Sequence, residues 1–445
     1  MVDTTASTTQ SHPRKLGLWM CTALVVGNMI GTGIFLLPAT LAPLGWNAIL
    51  GWIFTIIGGL SLACVFAALA RTFPQAGGPY IYSREAFGPA VAFMVVWSYW
   101  ISVWVGIAAI ATGAVSYLSV FFPQIGSVTG LHAAVTCLSI WILIGLNCRS
   151  TILAGGFQLI TTLLKILPLI LVIGLGILIL GREGSAAIAP LDLKTIELGS
   201  ITLAATLTLW GLLGLESATV PANRVENPET TIPRATILGV MIASFIYLLV
   251  FVTLLLLTPT EIIAGSDAPF ADFVGLHMNG NAGTLIAAFA AISGFGALNG
   301  WILLAGELPN ALARNGVFPK WLADRSAQNT PVRALLFSGV LITIVVFLNY
   351  QKSMAELFTF IILLSTTASL VMFLASALAA VKLQWQGHLH APRLILIIAA
   401  LASLYAAWTI YGAGGEAVMW GCVLLLAGWP VYMFMRRNIP PEPSR

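Results

Sequence analysis

The chain has 445 residues, of which 59% are apolar and 8% charged, with a net charge of +4; an ordinary soluble domain carries about 25% charged residues. That balance excludes a soluble globular protein. The charge is modest and dispersed, with no basic run interleaved with aromatics, which gives no nucleic-acid partner. Cys21, Cys64, Cys137, Cys148 and Cys422 are widely spaced, mostly inside apolar stretches, and offer neither a disulfide framework nor a zinc spacing.

In chain order, residues 1–13 form a polar tail, and Arg14 and Lys15 then precede an apolar run that meets no small-residue cleavage site. This reads as a retained first span rather than a signal peptide. A window of about 20 residues predicts twelve spans: 16–43, 47–70, 89–122, 129–147, 152–181, 198–222, 233–257, 282–308, 333–350, 354–382, 392–412 and 417–435. The connections hold the Pro, Gly and charge that helix interiors exclude, with room for a few short helices on the membrane surface. With both termini cytoplasmic, sixteen of the twenty lysines and arginines lie inside, Arg182, Lys194 and Lys352 lie outside, and Lys165 falls within a span. This asymmetry fixes the topology of a multi-pass protein in a lipid bilayer. The short polar loops favour a bacterial inner membrane over a eukaryotic plasma membrane.

The first span holds "VVGNMIGTGIF", with Gly27, Gly31 and Gly33 near its centre. Glycine is a poor helix former, and small residues four apart also serve close helix packing. A second interrupted span, five spans later, tips the choice: "LTLWGLLGLES" carries Gly211 and Gly214. Two discontinuous helices, each opening a five-helix half, mark an inverted-repeat secondary transporter. The expected fold is therefore an all-α integral membrane protein of twelve transmembrane helices in a 5+5 inverted repeat. Its halves are residues 14–181 and 198–383, with two further helices at 392–435 and a cytoplasmic tail at 436–445. Freed backbone N–H groups attract a carboxylate and freed carbonyls an ammonium, so an α-amino acid suits such a pair of breaks.

The stretches "GNMIGTGIFLLPATLA", "PQAGGPYIY", "WGLLGLESATVPANRVENPETTIPRAT" and "GWILLAGELPNALARNGVFPK" resemble the basic amino acid and polyamine antiporters of the amino acid, polyamine and organocation superfamily, closest to the arginine/agmatine antiporters. The likeness runs from about residue 14 to 435 and is densest at spans 1, 6 and 8. It implies that Thr32 and Gly33, with Ile30 and Gly31, offer N–H groups to the substrate carboxylate. Carbonyls near Met29, Trp210 and Leu213 would take the α-amino group, and Trp210 and Trp301 would wall the substrate, an aromatic face attracting a side-chain cation within about 6 Å. Interfacial anchoring is the bland alternative for a tryptophan, and the mid-span place of Trp210 argues against it. At substrate-side positions where the family places an asparagine and other polar groups, this chain has Ile107, with Ser102 and Val103 nearby, and Ile362 on the tenth span. The pocket is expected to be greasier, against a fully extended guanidinium ligand.

Glu216 is the acidic residue well inside an apolar span, and an intramembrane carboxylate is a functional hypothesis by default. Burial penalises its ionised form, and the resemblance implies pH-sensitive gating there; Tyr80, Tyr82 or Tyr99 are candidate neighbours or gates. Lys165 lies about 21 Å from either end of its span at 1.5 Å per residue, too deep to snorkel out. A fifth-span lysine resembles that of sodium-independent relatives. Carrying a proton and tying span 1 to span 5 both stand open as its role.

The expected function is an amino acid exchanger working by alternating access, with cationic amino acids or polyamines ahead of small neutral amino acids moved by sodium-independent, proton-coupled uptake or exchange. It takes no cofactor or metal. A membrane-embedded enzyme would need clustered His, Asp or Ser, yet His12, His132, His277, His388 and His390 lie near span ends or in loops. "GTG" lacks the strand-turn-helix setting of a nucleotide loop, and the paired breaks disfavour a channel. A sensor that binds without transport is the remaining rival. The two terminal helices offer a homodimer contact.

Overall fold

The computed structural model describes residues 16–75, 77–149, 164–219 and 225–436, and every described element is helical. The polar tails read at 1–13 and 436–445 and the first part of the fifth predicted span lie outside these residues, apart from Arg436.

The first span is two helices, α1 (Leu18–Met29) and α2 (Gly33–Leu41), with a one-turn continuation to Leu44, bent by 44° at the break. There follow α3 (Trp46–Thr72), a short α4 (Pro79–Phe87), α5 (Pro89–Leu118), α6 (Leu131–Arg149), α7 (Ile166–Glu183) and α8 (Leu198–Leu209). The second half continues with α9 (Pro228–Leu256), a short α10 (Pro269–His277), α11 (Gly280–Arg314), α12 (Val332–Leu348), α13 (Met354–Trp385), α14 (Leu394–Gly412), α15 (Gly414–Leu426) and α16 (Gly428–Met435). Among the described residues nine helices are long and apolar enough to cross a membrane, α15 and α16 counting together, and the bent pair α1 and α2 makes up to ten. The segments Leu198–Leu212 and Val332–Leu348 are apolar but shorter. Every predicted span thus carries a helix, while α4 and α10 occupy connections.

Local chemistry sets the ends. Gly88, at φ 85°, turns the chain between α4 and α5, each of which starts with proline, whose fixed φ suits a first helical position. Ser353 and Glu356 form a reciprocal capping box at the start of α13. The same physics sorts the helices radially. Of the most apolar stretch of α5, 89% is buried, against 11% for α15 and α16, which places α5 at the centre and the last pair at the rim. Around α5 stand α11 and α13, with α1, α3, α8 and α9 packed beyond.

Candidate functional site

The first break begins where α1 ends at Met29; Ile30 leaves helical geometry at ψ 85°, and the Gly31 amide folds back to the Met29 carbonyl at 2.9 Å. A helix end leaves carbonyls without partners, and a buried end must satisfy them from elsewhere. Here the Lys165 ammonium donates to the Gly27 carbonyl at 2.7 Å and the Ile30 carbonyl at 2.8 Å, and the Tyr247 hydroxyl donates to the Met29 carbonyl at 2.6 Å. A cation at a helix C-terminus also meets the negative end of its dipole. Across the break, Thr32 starts α2, yet its hydroxyl donates to the Ile110 carbonyl at 3.1 Å instead of capping the helix. The first-turn amides of α2 are therefore left without a side-chain cap.

In the second break α8 ends at Leu209, tightens into one 3₁₀ turn over Trp210–Leu212, and then unwinds. Leu213 is extended, and Gly214 takes φ +103°. Glycine is required at 214 twice over: side-chain-bearing residues avoid that φ, and a Cβ would stand 3.2 Å from both the Asn28 carbonyl carbon and its Cβ. Gly33 is equally constrained, because a Cβ there would lie 1.6 Å from Trp210 Cζ3. The two breaks are packed on each other through these glycines.

Between them is a cavity of about 30 Å³, room for a water or two. Of the residues singled out from the sequence, Met29, Gly31, Tyr99, Ser102, Trp210, Leu213, Glu216 and Trp301 line it. The Glu216 side chain is buried at 2% exposure and accepts from the Gly214 amide at 3.3 Å, with the Tyr99 hydroxyl turned toward it. Trp210 is buried and braced edge-on by Phe358, ring centroids 5.6 Å apart, whereas Trp301 is half-buried. The structure does not bring Ile30, Thr32, Gly33, Val103, Ile107 or Ile362 into the lining, although all are buried nearby. Lys165 sits behind the break, at the N-terminus of α7.

Sequence reasoning did not single out Asn28, Gly106, Ile110, Ser365 and Ser369, which complete the lining. The signal was helical period: Ser102, Gly106 and Ile110 recur every fourth residue on one face of α5, as do Ser365 and Ser369 on α13. Val103 and Ile107 are turned about 100° away on the same helix.

The two ends of the cavity differ. On one side Tyr99 also borders a vestibule of about 730 Å³ that holds Tyr80, Arg84, Arg314 and Asn315. This is the face where α11 ends at Arg314 and where Lys382, at the end of α13, lies over Phe87. The opposite face is sealed by α10. There the Tyr117 hydroxyl donates to the Phe35 carbonyl at 2.7 Å and accepts from the Phe270 amide at 3.2 Å, while the Phe35 and Phe270 rings meet at 5.0 Å. Ser116 donates to the Asp267 carbonyl at 2.6 Å. Burial holds the Asp267 and Asp272 carboxyls above the ordinary value of 3.8; the neighbouring Asp272 charge adds to the effect on Asp267, and a hydrogen bond from Ser266 offsets part of it on Asp272.

Residues 16–434 match the family model described as amino acid permease. The chain is 35% identical over 337 residues to the cadaverine/lysine antiporter of Escherichia coli K12, covering 75% of this chain and 74% of the relative. It is 31% identical over 441 residues to the arginine/ornithine antiporter of Pseudomonas aeruginosa, covering 94% and 90%. It is 29% identical over 430 residues to the putrescine transporter of Haemophilus influenzae, covering 95% and 97%.

Proposed function

The chain belongs to the amino acid permease family, a family of multi-pass membrane transporters rather than enzymes, and from that premise we propose that it exchanges cationic amino acids or polyamines by alternating access. The observation that carries this reading is the mutual packing of two broken helices around a cavity holding Trp210, Trp301 and Glu216. The uncapped amides of α2 suit a substrate carboxylate, the unwound backbone near Trp210 and Leu213 suits its ammonium group, and the two indoles suit a cationic side chain. Gly31 lines the cavity with its amide turned to the Met29 carbonyl, so the amides of Gly31, Thr32 and Gly33 reach a carboxylate only once the break shifts, while Ser102, Ser365 and Ser369 add polar groups to the lining. The lysine, ornithine, arginine and polyamine chemistry in the names of the relatives favours a cationic ligand over a small neutral one.

Twelve spans follow when Leu198–Leu212 and Val332–Leu348 are read as crossing the membrane with the longer helices. The pairings of the two halves support an inverted repeat: α1 packs on α9 as α8 packs on α3, and α5 meets α6 as α11 meets α12. Each half has five spans, so the second is inverted. Lysine and arginine placement supports a cytoplasmic side for the Arg84 and Arg314 vestibule, and with it the reading of an inward-facing carrier of a bacterial inner membrane. The cavity is smaller than an amino acid, so binding requires the half-buried Trp301 or the break of α1 to move. Lys165, bonded to two carbonyls of the first break, holds a positive charge there, which supports a sodium-independent carrier. The exposed apolar faces of α14, α15 and α16 are available to lipid or to a second copy.

Counterflow tests the proposal. Proteoliposomes preloaded with lysine, ornithine, arginine or the corresponding diamines should accumulate labelled cationic amino acid, with no change when choline replaces sodium. Trp301→Ala should weaken binding of cationic ligands by about 1 to 2 kcal/mol. Binding without trans-stimulated uptake would instead identify a sensor.

A further inference from the structure

Among the described residues, the lining of the vestibule in front of Tyr99 carries two guanidinium groups and no carboxylate. Arg84 is held on the wall over the Tyr80 ring at 5.9 Å. Among the described residues the ion pairs are Arg325 with Glu307, Arg333 with Asp324 and Lys352 with Glu416, and none of them involves Arg84 or Arg314. Beyond Tyr99, which borders both spaces, Glu216 lines the inner cavity. A cleft lined by one sign of charge focuses its field and raises or lowers the local concentration of a charged solute by tenfold or more. The vestibule's dimensions are comparable with the Debye length of ~8 Å at physiological salt, so solution ions leave much of that field in place.

We propose that this vestibule selects for a carboxylate, so that an amino acid is taken up from this face in preference to a diamine of the same carbon skeleton. The two candidate cargo types differ in how they meet the field. A diamine carries two positive charges past both arginines with nothing to offer them. A basic amino acid carries a net single positive charge and presents a carboxylate, which matches the planar donor fork of an arginine in bidentate fashion. Arg84 and Arg314 would hold that carboxylate at the mouth while the cationic end reaches Tyr99 and Glu216. The inference rests on the exchanger reading and narrows it: at the vestibule face the chain handles amino acid for amino acid, with diamines disfavoured.

Ornithine and putrescine differ by the carboxylate alone and make the matched probe. In proteoliposomes sorted by exposed face, the apparent KM at the vestibule face should be about tenfold lower for ornithine than for putrescine. The double substitution of Arg84→Gln and Arg314→Gln should collapse this preference toward parity, weakening ornithine and improving putrescine, while the paired Arg→Lys changes, which keep the charge and lose the planar fork, should leave a preference between the two. Raising salt should narrow the preference in the unaltered protein, a readout independent of any variant's folding. Equal use of both probes by the unaltered protein at that face, or an undiminished preference at high salt or in a folded double Gln variant, would overturn the inference. So would the same shift at the opposite face. Absence of exchange with either probe from both faces would instead sink the exchanger reading itself.

Discussion

The two helix breaks face each other across one cavity, yet they are held open by different means. The first is stitched from outside: Lys165 of α7 and Tyr247 of α9 reach in to claim the carbonyls of Gly27, Met29 and Ile30. The second closes on itself, with Glu216 accepting from Gly214 two residues away and a left-handed glycine making the turn. A break held by tertiary contacts follows the movement of the helices that supply them, whereas a local turn keeps its shape as a unit. The contrast assigns the first break as the element whose geometry responds to its surroundings and the second as the firmer wall against which it works.

The largest effects should come from removing the close approach that joins them. Gly33→Ala pushes a methyl group into the Trp210 ring; overpacking of this kind destabilises by about 1 to 3 kcal/mol, and displacement of Trp210 should abolish measurable exchange. Gly214→Ala adds left-handed strain of about 1 to 2 kcal/mol to a contact against Asn28 and should be nearly as severe. Gly31→Ala is the control, because a Cβ at 31 meets nothing within 4 Å: it should fold like the parent and lose affinity only through the space taken from the cavity. If Gly33→Ala exchanges normally, the breaks are not coupled as described.

Next in size is Lys165→Met, which strips both ammonium bonds from the first break. Leaving buried carbonyls unpaired should destabilise the protein by about 2 kcal/mol, visible in thermal unfolding, and exchange should fall without any sodium dependence appearing. Normal stability in this variant would dissolve the contrast between a stitched and a self-closed break. Glu216→Gln should be milder. The amide fixes the neutral form, so the pH profile of exchange between about pH 5 and pH 8 should flatten near its acid-side value, since one proton decides whether a charge sits in the cavity. An unchanged profile would place the pH sensor elsewhere.

Much of this was legible in the sequence because hydropathy, glycine placement and charge asymmetry are one-dimensional signals. The helical segments, the two breaks and the roles open to Trp210 and Glu216 follow from residue type at a given depth. The partner of Lys165 was only half legible: depth demanded one, and tying span 1 to span 5 was a stated option, but the carbonyls of Gly27 and Ile30 appear only when α7 is packed on the break. Helix rotation was the main loss. The few polar residues of the largely apolar α5, with Ser102 at helical period to Gly106 and Ile110, are a weak mark of the inward face, so Val103 and Ile107 stood in for Gly106 and Ile110 until packing fixed the rotation. Likewise the short α10 carries no span-like signal, and its sealing contacts through Tyr117 join residues more than 150 positions apart.

That seal yields the smallest predicted effect and the finest test of whether the outer half of the first break moves. Phe35 on α2 is bonded through Tyr117 to the start of α10, and the Gly265 amide reaches the Ala39 carbonyl at 3.4 Å, so lifting α10 frees α2. Asp267 and Asp272 in this seal are both held above 3.8, by burial first, with the Asp272 charge adding to the effect on Asp267. A carboxyl raised in the sealed state binds its proton more tightly there than when exposed. The seal is therefore fully supported below 3.8, weakens as pH rises from that value through the raised ones, and is constant above them. Amide exchange across residues 265–277, corrected for its intrinsic pH dependence, should show protection falling a few-fold over that window. Asp267→Asn removes one of the two charges and keeps the backbone carbonyl that Ser116 holds, so it should reduce the pH response without opening the seal. A response of the same size in Asp267→Asn would show that the carboxyl pair does not bias α10, and that the outer half of the first break is governed by packing alone.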